Sequence, residues 1–197
     1  MRALELFSGT HSFGKWASSK GYEVVSLDIL KTSKATHTCD IMDFDYKQYP
    51  VGSFDLIHAS PPCTQYSYAR STGPPRDIEG ANKIVKRTFD IIEYLKPRRW
   101  CLENPFGWLR RQDFMLEKPY MTLDYCSFST QDDSFPYRKR TCIWSDVIKP
   151  DKKCDRACDG MNESKKGHRG TFCGVRNLCL SKKYRIPQGL FDYVFEG

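Results

Sequence analysis

The chain has 197 residues, of which 40% are hydrophobic and 28% charged, and its formal net charge is +7. That balance fits one domain with a proper core and a small appendage, and it argues against a disordered chain. No apolar stretch approaches the ~20 residues of a bilayer-spanning helix, and the N-terminus lacks a secretory plan, so the expectation is a cytoplasmic protein with no membrane partner.

In chain order, short apolar runs alternate with helical or polar stretches. Residues 3–7 (ALELF), 22–27 (YEVVSL), 54–59 (FDLIHA), 100–103 (WCLE) and 141–144 (TCIW) read as strands, several apolar enough for burial on both faces. Between the third and fourth, Ile78, Ala81, Ile84, Val85, Thr88, Phe89, Ile92 and Leu95 recur at helical spacing, and Pro97 marks the stop. Strand–helix–strand alternation predicts an α/β fold with a mostly parallel sheet, whose ligands sit beyond the carboxyl ends of the strands. Residues 149–183 are polar and basic, and 185–195 read as a closing helix that starts near Pro187. The nine cysteines are odd in number, and Cys39, Cys101, Cys126 and Cys142 fall within or beside apparent strands. They read as reduced, small buried hydrophobes in a reducing compartment.

Four stretches carry chemistry. The first strand ends in Phe7-Ser8-Gly9-Thr10-His11-Ser12, a glycine turn entering a helix, which lets a cofactor approach the backbone and the helix N-terminus. Asp28 ends the next strand, where an acid accepts ribose hydroxyls, and Asp40 ends a third short run and suits an adenine amino group. Behind the 54–59 strand, Ser60-Pro61-Pro62-Cys63 is a rigid extended loop that fixes a thiol at the sheet's carboxyl edge. Glu103-Asn104-Pro105 closes a further strand, where a carboxyl group hydrogen-bonds a ring nitrogen and drains electron density. Arg138-Lys139-Arg140 opens the last apolar strand, and beside a cleft arginines hold a carboxylate, a base oxygen or a phosphate. Singly, each has an ordinary reading as a turn former, an idle thiol, a helix cap or a solvated edge. Their order along the chain carries more weight than any one of them.

That order resembles the DNA cytosine-5 methyltransferase family: the turn at 7–11, the acids Asp28 and Asp40, Pro-Pro-Cys at 61–63, Glu-Asn at 103–104, and Arg138 with Arg140. In detail, 61–70 and 135–144 are most similar to compact phage- and virus-type members. The resemblance implies a Rossmann-like S-adenosylmethionine-dependent methyltransferase fold with helices on both faces of the sheet, and cytosine C5 methylation in double-stranded, base-flipped DNA. It further implies Cys63, Glu103, Asn104, Arg138 and Arg140 as catalytic, with Asn104 holding Glu103. Donor contacts are expected from Phe7, Gly9, Thr10 and His11 in the turn, from Asp28 with Ile29, from Asp40 with Ile41, and from Ser60. The chain departs from the family at His11, where a second glycine is usual, and at Pro136, where glutamine is usual. The expected organisation is a catalytic domain at 1–148, a basic Cys/His-rich insertion at 149–183, and a helix at 184–197 that packs on the catalytic domain. No large target-recognition domain is expected, which leaves room for a protein partner that supplies sequence recognition.

Between Lys149 and Arg185, eleven Lys and Arg face four Asp and Glu, a surplus equal to the whole chain's charge. A basic block beside a neutral body suits a polyanion, and Lys165, Lys166 and Arg169 are candidates for phosphate contact. The same block holds Cys154, Cys158, His168 and Cys173, a candidate structural zinc set with Cys179 as substitute. Free or buried thiols are the alternative. Two other readings stay open: an RNA cytosine methyltransferase, and an inactive nucleic-acid-binding or partner subunit.

Overall fold

The computed structural model describes residues 1–68, 70, 72–135, 137–155 and 180–196. Strands β1 (Arg2–Leu6), β2 (Glu23–Asp28), β3 (His37–Thr38), β4 (Leu56–Ala59), β5 (Arg99–Pro105), β6 (Tyr120–Asp124) and β7 (Arg140–Ser145) form one sheet in the order β3-β2-β1-β4-β5-β7-β6. The first five are parallel, and β7 runs antiparallel to both β5 and β6. From β1 the chain winds outward to β3, then returns to place β4 on the other side of β1. A crevice therefore opens between the carboxyl ends of β1 and β4, the usual ligand position in such sheets.

Helices cover both faces. On one, Ile78–Leu95 forms helix α2 over the residues its periodicity predicts. The Asp77 carboxylate accepts from the Gly80 N–H at 2.8 Å, capping the helix start. Lys96, in the left-handed region, ends it. Ala81, Val85, Ile92 and Leu95 of α2 join Leu4, Leu6, Ile57 and Leu102 of the sheet in one buried cluster. On the other face, helix α1 (Ser12–Ser19) and the closing helix Gln188–Phe195 pack together. Phe13, Trp16, Phe191 and Val194 cover Ala3, Met121 and Ile143 there. The Trp16 indole N–H donates to Asp192 at 2.8 Å, and the closing helix begins directly after Pro187, where proline's missing N–H costs nothing.

Glu5 is buried at the start of α1, and its Oε1 accepts the backbone N–H groups of Phe13 and Gly14, each at 3.1 Å. A carboxylate there complements the positive helix end. A Cβ at position 14 would stand 2.7 Å from Glu5 Oε2, so a side chain there would push that carboxylate aside.

Two strands escaped the sequence reading. β3 has only two residues, and β6 lies in a stretch without clean alternation. Cys101, Cys126 and Cys142 are buried, Cys39 partly so, and the described cysteines form no disulfide. Among the described residues no helix is long and apolar enough to cross a membrane.

Candidate active site

The cleft's first wall is a backbone knot. Phe7, Gly9 and His11 have φ of +62°, +45° and +55°, so the turn after β1 alternates through the left-handed region. Only Gly9 enters that region without side-chain strain. Asp28, at the end of β2, ties the knot: Oδ2 accepts from the Gly9 N–H at 2.7 Å and Oδ1 from the Leu30 N–H at 2.8 Å. Each carboxylate oxygen keeps a second lone pair for a ligand hydroxyl. Ser8 Oγ is buried here with no partner among the described residues. Ile29 and Leu30 stay 63% and 60% exposed while lining the cavity, an apolar shelf suited to a flat ring. An orphaned hydroxyl, a carboxylate with spare acceptors and an apolar shelf together fit the ribose and adenine of S-adenosylmethionine.

The cavity measures about 290 Å³. Phe7, Gly9, Thr10, Asp28 and Ile29 line one side, with Ser60 and Cys63 opposite. Glu103 and Lys139 complete it, and Tyr184 and Ile186 close the rim. Ser60 is anchored by His58, whose Nε2 lies 2.9 Å from its hydroxyl and whose Nδ1 lies 3.1 Å from Cys101 Sγ. Burial pushes the His58 imidazole down to about 3, so it is neutral.

Other residues expected in the site lie elsewhere. The His11 ring turns away from the cavity, with Nδ1 3.1 Å from Glu5 Oε2 and Nε2 2.6 Å from the Ser33 carbonyl. Asp40 caps its own turn by accepting from the Met42 N–H at 2.9 Å, and Ile41 is buried in the core. Asn104 does not hold Glu103; its amide donates to the Pro61 carbonyl at 2.9 Å, tying β5 to the Pro-Pro-Cys loop. Arg140 makes two 2.9 Å bonds to the buried Asp124 across the β6–β7 pair. Arg138 is partly buried beside Asp124 and lines none of the cavity. Pro136 lies outside the described residues, as do Cys158, His168, Cys173, Cys179 and the cations Lys165, Lys166 and Arg169. Cys154 is described, and its backbone N–H donates to Asp124 at 3.0 Å. Among the described residues no cluster of three or more His, Cys, Asp or Glu forms a metal site.

The second wall centres on Glu103, which is 4% exposed. Its Oε1 accepts from the Tyr125 phenol at 3.0 Å and from the Thr141 hydroxyl, and the Lys139 ammonium lies 3.9 Å away. None of the described residues donates to Oε2. Burial pushes the Cys63 thiol up, the Lys139 ammonium draws it down, and the Glu103 charge raises it. Lys139, Tyr125 and Thr141 are the site residues that the sequence reading passed over. The signal for Lys139 was present: in an alternating strand, the middle of three consecutive cations faces opposite to its neighbours. Tyr125 and Thr141 carried no comparable mark.

Comparisons with known proteins bear on the family and the fold. Over 160 residues, the chain is 34% identical to the "Probable DNA (cytosine-5)-methyltransferase" of Frog virus 3 (isolate Goorha), covering 75% of this chain and 71% of that protein. A crystal structure of a prophage-encoded E. coli protein, described as a "putative DNA modification methyltransferase", superposes with a TM-score of 0.54 at 16% identity. That match covers 74% of this chain and 46% of the other, and supports the Rossmann-like methyltransferase fold. Residues 1–117 match the family described as "C-5 cytosine-specific DNA methylase", and with the viral relative this places the chain in the DNA (cytosine-5)-methyltransferase family.

Proposed function

We propose that the protein methylates C5 of cytosine in double-stranded DNA, with S-adenosylmethionine as donor and Cys63 as nucleophile. One observation carries the reading: a single cavity at the sheet's switch point joins the Asp28-tied turn to Cys63 and Glu103. Gly9, Thr10, Ser8, Asp28 and Ile29 hold the donor, which supplies an electrophilic methyl group.

The cytosine enters the cleft flipped out of the duplex. Glu103 Oε2, carrying a proton taken up from solvent, donates a hydrogen bond to N3 and draws electron density from the ring, while Cys63 Sγ, its own proton lost to solvent, forms a bond to C6. Electron density then gathers on C5, which takes the methyl group. Loss of the C5 proton to water and cleavage of the Sγ–C6 bond restore the ring and the thiol. Asn104 helps fix the separation of Glu103 and Cys63 by holding the Pro61 carbonyl, which ties its strand to the thiol's loop. The chemistry needs a free thiol, which suits a reducing, intracellular compartment.

Residues 149–183 act on this reading as a basic module that contacts DNA phosphates, stapled by zinc on Cys154, Cys158, His168 and Cys173. Metal analysis of purified protein checks the staple: about one zinc per chain is expected, and less than about 0.2 ends it.

The decisive assay incubates the protein with duplex DNA and donor and measures nucleosides by mass spectrometry, with structured RNA in parallel. 5-Methylcytosine in DNA is the expected product. N4-methylcytosine, methyladenine, or methylation confined to RNA overturns the proposal.

A further inference from the structure

We infer that Lys139, paired with Tyr125, is the positioning cation of the catalytic wall, doing what the sequence assigns to Arg138 and Arg140. This rests on the methyltransferase reading only for the identity of the substrate. The pairing itself is a matter of strand geometry.

β6 and β7 are in register so that Asp124 faces Arg140, and the next pair out is Tyr125 with Lys139, whose backbones join through Tyr125 N–H and Lys139 C=O at 3.1 Å. Successive side chains on a strand point to opposite faces. The first pair therefore makes the Arg140–Asp124 ion pair away from the cavity, and the second pair turns into the cleft. There the Lys139 ammonium donates to the Tyr125 phenol oxygen at 3.3 Å and lies 4.6 Å from the centre of that ring. The phenol passes its own hydrogen to Glu103 Oε1 at 3.0 Å. The result is a chain of donors, Lys139 to Tyr125 to Glu103, with every contact on one carboxylate oxygen.

The side chain of Lys139 is only 17% exposed. A lysine placed for solubility extends away from the protein, whereas this side chain lines the cavity together with Glu103 and Cys63. Its use follows from the charges around it. Cys63 must become a thiolate while Glu103 is an anion in the same cavity, and two adjacent anions disfavour each other. The groups that bear on Cys63 are Glu103 from β5 and Lys139 at the head of β7, with Tyr125 behind them and Tyr137 bearing on Tyr125. Lys139 is the cation in that set. It stabilises both anions at once, and the Tyr125 and Thr141 bonds keep Glu103 turned so that Oε2 is left for the base. When the base binds, Glu103 Oε2 takes up one proton from solvent and gives it to N3 as sulfur adds to C6, while the thiol has released one proton to solvent, so one proton is taken up and one released.

The test of the Lys139 pairing with Cys63 needs neither methyl transfer nor DNA. Full-length protein is alkylated with iodoacetamide across a pH series, and the Cys63 peptide is quantified by mass spectrometry in wild type, Lys139→Met, Lys139→Arg and Tyr125→Phe. Lys139→Met is expected to raise the Cys63 midpoint by about one pH unit, roughly tenfold slower labelling at a fixed pH below it. Lys139→Arg restores the wild-type midpoint, which a merely structural role for the side chain does not explain. Tyr125→Phe leaves the midpoint within about 0.3 unit but lowers kcat for methyl transfer with little change in donor KM, because it frees Glu103 rather than the thiol. An unchanged midpoint in Lys139→Met overturns the inference. Should that variant not fold, Glu103→Gln decides it: removing the opposed anion lowers the midpoint if the set is coupled, and an unmoved midpoint overturns the inference. A shifted midpoint without 5-methylcytosine formation sinks the reaction reading and leaves the Lys139 pairing standing.

Discussion

The two walls of the cleft are built by different means. The donor wall comes from two short runs, 7–12 and 28–30, at the ends of neighbouring parallel strands, and it is made mostly of backbone: left-handed turns, amide donors and one carboxylate that ties them. The proposed catalytic wall draws Cys63, Glu103, Tyr125, Lys139 and Thr141 from the loop after β4, β5, the turn after β6 and β7. They meet because β7 runs antiparallel between β5 and β6. The first wall is sensitive to backbone conformation, and the second to individual side chains.

Substitutions can break that contrast, and the largest effect is expected at the thiol. Cys63→Ala should lower methyl transfer by roughly 10³-fold or more and abolish the adduct with 5-fluorocytosine DNA, while the melting temperature stays near wild type. A residual activity within tenfold of wild type removes the nucleophile from the mechanism.

Next comes the outward pair of the same strands. Asp124 is fully buried; burial alone raises its carboxyl, but the Arg140 bonds and the Cys154 amide outweigh that and hold it below the ordinary carboxylate value. Asp124→Asn should cost about 3 kcal/mol of stability, measured by denaturant unfolding. A depressed carboxyl stabilises the fold above its unfolded value near 4, and that contribution is lost as the pH falls through the lower folded value. The variant should therefore lack part of the wild-type decline in stability below about pH 4.

On the donor wall, Asp28→Ala should weaken donor binding by about 10- to 100-fold, from the loss of charge-assisted bonds, and calorimetry reads this directly. Cys63 alkylation should be unaffected, which separates the two walls.

The smallest effect is expected at His11→Gly. Glycine relieves the left-handed backbone but loses the links to Glu5 and Ser33, so the net change should stay under about 1 kcal/mol. The bond to Glu5 raises the His11 imidazole above its ordinary value against the opposing pull of burial. Its contribution is therefore fully present below the unfolded value near 6.5 and fades as the pH rises through the higher folded value. Stability measured from pH 6 to 8 should slope in wild type and flatten in the variant.

Much of the fold was legible because its signals are local. The eighteen residues of α2 carry helical spacing, a capping Asp77 and a stop before Pro97, each set by near neighbours in the chain. The apolar strands, the Gly9 turn and the rigid Pro-Pro-Cys loop were legible for the same reason. β6 was not, since Tyr120–Asp124 becomes a strand by pairing with a segment that follows it in the chain. At the site, reading three adjacent cations as one feature favoured the two arginines, whereas strand alternation sends Lys139 inward and Arg140 outward.

The sequence by itself determined the fold class and the family, and it singled out Cys63 as the proposed nucleophile, because turn chemistry, hydrophobic period and the order of motifs are properties of the chain. Tertiary structure alone decided which charges face the cleft. That choice depends on the register of two antiparallel strands, where a shift of one residue exchanges the inward and outward faces.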